Sequence, residues 1–279
     1  MSGKRWFITG VSSGFGRLLA ETALARGDSV VGTLRNPEQA EAFTALAPGR
    51  AHAIMLDVTD RNRISAAVNE GVTKLGGLDI LVNNAGYGLA GVLEEMQDDE
   101  IDHAVETNLM GTIYVTRAAL PALRESKGHI VNFSSMAGMI GLPGMATYCA
   151  AKHGVEGFSE ALSIEMAPFG VRVTVVEPGG FRTNFFKGSE RIARKPLAIY
   201  DETPGGMTRS GLSGAGDYMP GNPEKAVQAI LKAIEAPTPP LRLVLGADAL
   251  GSIRSKLDGV IANLSEWENV TLSTGFDAG

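Results

Sequence analysis

The sequence predicts a single α/β domain, residues 1–279, built on a doubly wound parallel sheet of about seven strands with helices on both faces. Short apolar runs alternate with longer amphipathic segments, which is typical of β-α-β units. Several runs are apolar at successive positions, as strands buried on both faces require. With 279 residues, 44% of them hydrophobic, the chain can bury the core of one such domain.

Taken in chain order, strands are predicted where the short apolar runs fall, at residues 5–9, 29–34, 51–56, 78–83, 129–134, 171–177 and 241–246. Helices are predicted where apolar residues recur at helical spacing, at residues 15–26, 37–46, 61–75, 98–125, 146–169 and 223–235. The segment 98–125 is either two helices or one long bent helix. Right-handed crossovers between successive strands make the doubly wound order the simplest topology.

Two segments depart from this alternation. Residues 184–222 are dense in glycine and proline, which break regular structure, and such an insertion is either a lid over a functional site or a disordered loop. We expect a substrate lid. Residues 247–279 form a C-terminal extension in which apolar residues recur at helical spacing from Leu250 to Leu264. One more helix is predicted there, packed either over the pocket or against another subunit.

The composition narrows the class of partner. A formal net charge of −6 and a pI near 5.3 argue against binding to nucleic acid or to an anionic membrane surface. The one cysteine, Cys149, excludes a disulfide framework and indicates a reducing compartment, and the four histidines lack metal-site spacing. No apolar run reaches about eighteen residues, and no leader peptide is evident. We therefore expect a soluble cytoplasmic protein that binds a small molecule and no metal.

A glycine-rich turn follows the first predicted strand. It reads T-G-V-S-S-G-F-G and contains Gly10, Ser12, Ser13, Gly14, Phe15 and Gly16. Glycines permit a tight turn and a close approach of the backbone to a pyrophosphate, which the positive end of the following helix attracts. The turn is therefore a candidate cofactor cradle, although its G-x-x-x-G-x-G spacing differs from the commoner G-x-G-x-x-G.

The candidate reacting groups lie close together in the sequence. Tyr148 and Lys152 are four positions apart in a run with helical periodicity, so the phenol and the ammonium share one helical face. A nearby ammonium favours the phenolate, which predicts a lowered pKa for Tyr148. Ser135 follows the fifth predicted strand, where its hydroxyl emerges at the ligand-binding edge of the sheet, and Ser134 is the alternative. Cys149 points about 100° away from Tyr148 on a helix and is interpreted as a packed side chain rather than a nucleophile.

Together these features resemble the short-chain dehydrogenase/reductase family. The resemblance is to its short single-domain branch and covers residues 5–246 in order. It rests on the glycine-rich turn, on the N-N-A-G that ends the fourth strand, and on Asn108, Ser135, Tyr148, Lys152, Pro178 and Gly179. The T-L-R that ends the second strand and the E-P-G-G-F-R-T segment are loosely similar to 17β-hydroxysteroid and retinol dehydrogenases.

The resemblance implies a Rossmann fold and reversible hydride transfer between a nicotinamide cofactor and a ketone or secondary alcohol. It implies that Tyr148 is the general acid in reduction and the general base in oxidation, and that Ser135 polarises the carbonyl oxygen. It further implies that Lys152 tunes Tyr148 and bonds the nicotinamide ribose. Asn108 matches the family asparagine that holds a water connecting the lysine to solvent.

The resemblance also places the cofactor along the chain. Asp57 and Val58 match the position that meets the adenine, and the alternative for Asp57 is a helix N-cap region. Beside the ribose the resemblance places Asn83, Asn84, Ala85 and Gly86. The segment that holds the nicotinamide carboxamide matches Pro178, Gly179, Phe181 and Thr183. Phe181 departs from the family, which often has Ile or Val there, so it is expected to narrow the pocket.

The end of the second strand favours NADP(H) over NAD(H). In dinucleotide-binding folds an acidic residue there bonds the ribose 2′-hydroxyl, whereas an arginine accommodates a 2′-phosphate. This chain has no acid at that place and has Arg35, with Ser12 in the turn as a further donor. The alternative is that Arg35 is a solvated loop residue.

The residues expected around the reacting groups are mostly apolar. They are Met136, Met139, Ile140, Leu142, Pro143 and Met145, together with Tyr87, Leu89, Phe185 and Phe186. Adaptable methionines suit an apolar, bulky ketone, and ordinary core packing explains them equally well.

Alternative functions fit the sequence less well than hydride transfer does. A non-catalytic NADP-binding regulatory or scaffold protein is the alternative function, but it has little reason to keep Ser135, Tyr148 and Lys152 together. Sugar-nucleotide epimerases and dehydratases share the Tyr-x-x-x-Lys pair but usually have a longer C-terminal domain, and enoyl reductases space the pair further apart. The resemblance implies a homodimer or homotetramer, packed through the long helices at 98–125 and 146–169.

Overall fold

The computed structural model describes residues 3–183, 185, 191–212 and 218–276. Its strands are β1 (Arg5–Ile8), β2 (Ser29–Leu34), β3 (Ala51–Met55), β4 (Ile80–Asn83), β5 (Leu89–Ala90), β6 (His129–Phe133), β7 (Arg172–Pro178), β8 (Arg191–Ile192) and β9 (Arg242–Leu245). Its helices are α1 (Gly14–Ala25), α2 (Pro37–Thr44), α3 (Arg61–Leu75), α4 (Asp98–Val105), α5 (Gly111–Ser126), α6 (Ala146–Met166), α7 (Pro204–Leu212), α8 (Pro223–Glu235), α9 (Ala247–Glu266) and α10 (Glu268–Leu272). Every predicted strand is present, with bounds within two residues of those predicted.

The main sheet of the described chain has seven strands in the order β3-β2-β1-β4-β6-β7-β9, and every neighbouring pair is parallel. The order reverses between β1 and β4, so the connections at their carboxyl ends diverge and leave a crevice there. The short strands β5 and β8 pair with each other beside this crevice. The predicted doubly wound sheet is confirmed.

Hydrophobic residues cover both faces of the sheet. Along β1, Trp6 and Ile8 pack in the cluster formed with α1 and α8, whereas Phe7 packs in the opposite cluster with α3 and α5. Successive side chains of a strand point to opposite faces. Burial on both faces therefore explains why the strands are apolar at successive positions.

The segment predicted as two helices or one bent helix is continuous and bent. Helix α4 passes into α5 through a π-helical turn at Glu106–Met110. Asn108 lies in this turn, and its side chain accepts a hydrogen bond from the Tyr87 N–H at 3.1 Å and donates to the Tyr87 and Ala104 carbonyls, both at 3.0 Å. Single π-helical turns are frequent at functional sites.

The glycine- and proline-rich insertion contains regular structure, contrary to what its composition predicted. Helix α7 has the sequence P-G-G-M-T-R-S-G-L. Its proline is the first residue of the helix, where proline is tolerated. Gly206 permits close packing there, since an added Cβ would lie 1.9 Å from the Tyr200 carbonyl oxygen. Arg209 of α7 is buried and pairs with Glu95 and Asp201.

The C-terminal extension forms α9 and α10, as its apolar spacing predicts. Near the start of α9, Ala249 and Ile253 are buried, whereas every described residue from Arg254 to Phe276 is exposed. The extension therefore does not close over the pocket along its length. Among the described residues, no helix is both long enough and apolar enough to cross a membrane.

Candidate active site

A cavity of about 520 Å³ opens at the carboxyl ends of the central strands, beside the reversal in strand order. Predicted site residues from every part of the chain line it: Gly10, Ser12, Ser13, Gly14, Phe15, Arg35, Asp57, Val58, Asn84, Ala85, Gly86, Ser135, Tyr148, Lys152, Pro178, Gly179, Phe181 and Thr183. The fold thus brings together side chains that lie far apart in the sequence.

Two predicted residues lie just behind the lining. An added Cβ on Gly16 would meet the Gly10 carbonyl oxygen at 2.3 Å, so this glycine lets α1 pack against the turn. Asn108 lies behind Gly86, where an added Cβ would be 2.6 Å from Asn108 Oδ1 and 3.7 Å from Lys152 Nζ. Gly16 and Asn108 therefore support the residues that line the cavity and are not part of the lining themselves.

Asn83 does not lie beside the cavity, which corrects the expectation that it borders the ribose. Its amide donates to Thr116 Oγ1 and to Asn132 Oδ1, both at 2.8 Å, inside the protein. Neighbouring residues at a strand end point to opposite sides, so Asn84 takes the outward position. The Asn84 amide donates to the Gly10 carbonyl at 2.8 Å and ties the end of β4 to the glycine-rich turn.

The glycine-rich turn has the shape that a dinucleotide phosphate group requires. Gly10 and Gly14 have φ values of +73° and +58°, which residues with a side chain rarely adopt. An added Cβ on Gly10 would lie 3.0 Å from the Ala85 Cα. The Ser13 side chain does not cap α1, so the first N–H groups of the helix remain available at the cavity. The turn therefore fits the pyrophosphate of a dinucleotide cofactor.

Arg35 and Asp57 face each other at the far end of the cavity. Arg35 Nη1 lies 3.5 Å from Asp57 Oδ2, and the Arg35 side chain is 65% exposed. Burial acts to raise the pKa of Asp57, but hydrogen bonds from Thr59 and the charge of Arg35 together hold that pKa below its usual value. The N-cap of α3 is Asp60, which accepts from the Asn62 N–H at 3.2 Å, whereas Asp57 accepts from the Thr59 N–H at 3.0 Å in the turn before the helix. Asp57 therefore lies in the N-cap region without being the cap, which is compatible with a contact to the adenine.

Tyr148, Ser135 and Lys152 meet on one wall of the cavity. The Ser135 hydroxyl donates to the Pro178 carbonyl at 3.5 Å, and Ser135 Oγ accepts from the Ala137 N–H at 3.1 Å. Ser135 is close enough to Tyr148 to act on the pKa of its phenol. Lys152 Nζ lies 5.7 Å from the centroid of the Tyr148 ring. The same ammonium donates to the Phe133 carbonyl at 2.8 Å, which fixes its position.

Ser134, the alternative hydroxyl, is directed elsewhere. It is buried, and its hydroxyl donates to the Lys152 carbonyl at 3.5 Å. Consecutive residues in extended backbone point to opposite sides. The geometry therefore favours Ser135 as the partner of Tyr148.

Burial shifts the two reacting groups in opposite directions. It raises the pKa of Tyr148 well above its ordinary value, and the neighbouring Ser135 hydroxyl opposes this rise. It lowers the pKa of Lys152 to about 8, and the charge of Glu156 opposes this fall. The expected lowering of the Tyr148 pKa is thus wrong for this structure, because loss of contact with water outweighs the opposing effect of Ser135.

A cluster of carboxyl groups around one arginine lies beyond Lys152. Arg242 Nε is 3.3 Å from Glu156 Oε2 and 3.5 Å from Glu177 Oε1, and Arg242 Nη2 is 2.6 Å from Glu160 Oε2. Glu156 and Glu177 are buried, whereas Glu160 is exposed. Burial and the charge of Glu156 raise the pKa of Glu177 to about 7. Glu156 follows Lys152 by one helical turn and therefore connects this cluster to the reacting groups.

The part of the cavity wall formed by the segment that follows β7 includes aromatic side chains. Phe181 packs on Phe15 of α1 with ring centroids 5.4 Å apart, so the residue that departs from the family pattern is buried at the edge of the cavity. Asp248, at the start of α9, accepts from the Gly180 N–H at 2.7 Å and also lines the cavity. Asp248 was not predicted as a site residue, because no spacing in the sequence connects the extension to the cofactor motifs.

The expected substrate wall is confirmed only in part. The residues that line the cavity are Met136, Leu142, Pro143, Met145, Tyr87 and Phe185. Met139, Ile140 and Leu89 do not line it, and Leu89 packs in a separate hydrophobic cluster. Consecutive residues of an irregular segment cannot all face one side, which explains the difference. Phe186 lies outside the described residues.

The position of Cys149 agrees with its interpretation as a packed side chain. It is buried in a cluster with Ala137 and Met145, and its Sγ accepts from the Leu142 N–H at 3.4 Å. Burial raises the pKa of the thiol, which disfavours the reactive thiolate.

Two charged residues near the cavity, Arg191 and Glu95, were not predicted as site residues from the sequence. The Arg191 guanidinium lies 4.7 Å from the centroid of the Tyr87 ring and borders the cavity. Glu95 is fully buried, accepts from the Leu197 N–H at 2.9 Å and pairs with Arg209. Their partners are distant in sequence, so no local pattern indicates these contacts.

Comparison with known proteins identifies the class. The chain matches the family model described as short chain dehydrogenase over residues 4–192. Oxidoreductase BOA17 of Botryotinia fuckeliana is 40% identical over 273 residues, covering 97% of this chain and 99% of that protein. Retinol dehydrogenase 5 of Mus musculus is 42% identical over 180 residues, covering 63% of this chain and 56% of that protein. The crystal structure of a short-chain dehydrogenase from Streptomyces avermitilis superimposes with a TM-score of 0.91 at 43% identity, covering 99% of this chain and 100% of that one.

The chain therefore belongs to the short-chain dehydrogenase family, with the single-domain Rossmann-like fold of that family. The resemblance drawn from the glycine-rich turn and from Ser135, Tyr148 and Lys152 is confirmed, as is the similarity to retinol dehydrogenases. The protein is an oxidoreductase of a family that uses nicotinamide cofactors.

Proposed function

We propose that this chain catalyses reversible hydride transfer between NADP(H) and a ketone or secondary alcohol. The observation that carries the proposal is the meeting of Tyr148, Ser135 and Lys152 on the wall of a cavity that also holds the glycine-rich turn. The alternative, a non-catalytic NADP-binding protein, requires the turn but not these three side chains.

Tyr148 is the proton donor in the direction of reduction. Its raised pKa keeps the phenol protonated at neutral pH, which suits a general acid. Ser135 lines the cavity beside Tyr148 and is proposed to donate to the same carbonyl oxygen as negative charge develops on that oxygen. When bound, the nicotinamide ring supplies the hydride in reduction and accepts it in oxidation.

Lys152 takes part in returning the proton to Tyr148, and Asn108 holds the water that connects Lys152 to solvent. With a pKa of about 8, Lys152 can exchange protons near neutral pH. Asn108 and Lys152 both approach Gly86 from behind the cavity, and hydrogen bonds to backbone groups hold Asn108 in the π-helical turn. This arrangement supports a path on which protons from solvent reach Lys152 through a water held by Asn108 and pass from there to the phenol.

The preference for NADP(H) rests on Arg35. Its side chain is largely exposed and its ion pair with Asp57 is long, at 3.5 Å, so the guanidinium keeps donors that can meet a 2′-phosphate beside Ser12. Asp57 and Val58 border the same end of the cavity and are assigned to the adenine. No carboxylate follows β2 directly, so nothing there is placed to select the 2′-hydroxyl of NAD(H).

The experiment compares NADPH with NADH for a panel of ketones. Wild-type protein is expected to give the higher kcat/KM with NADPH, and Arg35→Asp to reverse that preference because a carboxylate repels the 2′-phosphate. Arg63→Asp, which makes the same charge change at an exposed position on α3, serves as the control. A higher kcat/KM of the wild type with NADH, or an unchanged preference in Arg35→Asp, contradicts the assignment. Absence of turnover with every carbonyl compound favours the non-catalytic alternative.

We further propose an apolar substrate and an oligomeric protein. Met136, Leu142 and Met145 support the substrate class, since they provide an adaptable apolar wall.

Residues 184–222 are assigned as the lid over that wall, held to the rest of the chain by the pair of Arg209 and Glu95. The assembly is a homodimer or homotetramer, as the family resemblance implies.

A further inference from the structure

Helix α9 leaves the body of the protein soon after it begins. Ala249 and Ile253 pack against the domain, but every described residue from Arg254 to Phe276 is exposed. A helix without tertiary contacts is only marginally stable in water at this length. The exposed part of α9 and α10 therefore requires something that covers it.

The exposed part carries one apolar stripe. After Ile253 the stripe comprises Leu257, Val260, Ile261, Leu264 and Trp267. Steps of three and four residues keep these side chains on one face, with the heptad period that is found where two helices pack along their length. Ile261 and Leu264 are each 62% exposed, which is unusual for aliphatic side chains that lie side by side.

The charges along the helix differ between its two ends. Arg254 and Lys256 flank the start of the exposed stripe, whereas Glu266 and Glu268 lie at its far end. Parallel pairing of two copies would place like charges together. Antiparallel pairing about a two-fold axis at Ile261 places Arg254 of one copy opposite Glu268 of the other, seven positions from the axis on either side.

The same charges argue against a lipid surface as the partner. The acidic residues of α9 and α10 are Asp248, Asp258, Glu266 and Glu268, and the basic ones are Arg254 and Lys256. Amphipathic helices that lie on anionic membranes have a polar face rich in lysine and arginine. This helix has an excess of acid, so a second protein helix of complementary charge is the better match.

We propose that the stripe of α9 is an interface between two copies of this chain, packed antiparallel around a two-fold axis near Ile261. The pairing is self-complementary, as a two-fold interface requires. It is separate from α5 and α6, and it does not depend on the reaction proposed above.

Disulfide cross-linking tests the axis directly. Ile261→Cys should form a covalent dimer under mild oxidation, because the two copies of residue 261 meet at the axis. The matched control is Ser255→Cys on the opposite, exposed face of α9, which should cross-link far less. The native Cys149 is buried and present in both variants. Equal cross-linking at the two positions, or none at Ile261→Cys, overturns the proposal.

The direction of pairing is tested with two further cysteines. Arg254→Cys and Glu268→Cys should each cross-link poorly alone, whereas a mixture of the two single variants should form a covalent heterodimer. Efficient self-linking of Arg254→Cys indicates parallel pairing and contradicts the antiparallel arrangement.

The solution mass provides an independent measurement. Ile261→Asp should halve the mass found by light scattering at a given concentration, and Ser255→Asp should leave it unchanged. An unchanged mass in Ile261→Asp overturns the proposal. So does wild-type protein that floats with phosphatidylcholine–phosphatidylserine vesicles while Ile261→Asp does not, since the stripe would then face lipid.

Discussion

Tyr148 and Lys152 are buried together, and the same loss of water moves their pKa values in opposite directions. The phenol becomes harder to ionise and the ammonium becomes easier to deprotonate. Glu156 partly offsets the second effect because its charge raises the pKa of Lys152. The Tyr-x-x-x-Lys spacing indicated that the pair shares one face, but it carried no information on how deeply the fold buries that pair.

The pH profile of reduction should report the ionisation of Lys152. We expect kcat/KM to fall above a break near pH 8, because the ammonium is lost through its pKa of about 8. Glu156→Gln removes the charge that raises this pKa, so the break should move to lower pH. Glu160→Gln, one turn further along α6 and exposed, is the control and should leave the break in place. A break that stays fixed or rises in Glu156→Gln contradicts this role.

The site residues that could be predicted from the sequence are those that belong to a motif of fixed local spacing. The turn from Gly10 to Gly16 and the pair Tyr148 and Lys152 have fixed local spacing, so their geometry follows from strand, turn and helix periodicity. Glu95 and Asp248 could not be found in this way. Their partners Arg209 and Gly180 are supplied by tertiary packing, which no local pattern records.

At the level of elements, the strands were predicted well because burial on both faces demands continuous apolar runs, and these runs are visible in the sequence. Helix α7 was not predicted. Its sequence is rich in glycine and has proline at the start, so local propensity opposes a helix, and the buried ion pair of Arg209 supplies the compensating tertiary contact. The insertion is thus ordered where it is anchored to Glu95.

Breaking that anchor should loosen the insertion. Glu95→Gln leaves Arg209 buried with only the exposed Asp201 as a charged partner, so the free energy of unfolding should fall by about 3 kcal/mol in urea titration. The KM for ketones should rise, because the lid proposed for residues 184–222 loses its attachment. The control is Glu165→Gln, an exposed carboxylate on α6 away from the insertion, which should change both quantities much less. Equal effects of the two substitutions contradict the anchoring role.

At the scale of the whole molecule, stability depends on keeping the buried carboxyl group of Glu177 protonated. Burial and the charge of Glu156 raise the pKa of Glu177 from 4.5 to about 7. The folded protein therefore binds a proton that the unfolded chain releases in this range. Stability from this group is fully present below pH 4.5 and is lost as the pH rises through 7.

The free energy of unfolding should accordingly decrease between pH 5 and pH 8, by up to about 3 kcal/mol from Glu177 alone. Glu177→Gln has no proton to lose and should flatten the dependence. Glu160→Gln, which removes an exposed carboxylate from the same arginine, should keep the slope of the wild type. The measurement is urea denaturation at a series of pH values. A slope in Glu177→Gln equal to that of the wild type contradicts the assignment.

The proposed reaction depends most directly on the Tyr148 hydroxyl, and Tyr148→Phe removes that hydroxyl alone. Turnover of ketones with NADPH should fall by on the order of 10²- to 10⁴-fold, while the Kd for NADPH stays close to that of the wild type. Tyr114→Phe, on the part of α5 that Arg61 covers, is the matched control and should retain turnover. Turnover close to that of the wild type in Tyr148→Phe would contradict the proposed mechanism.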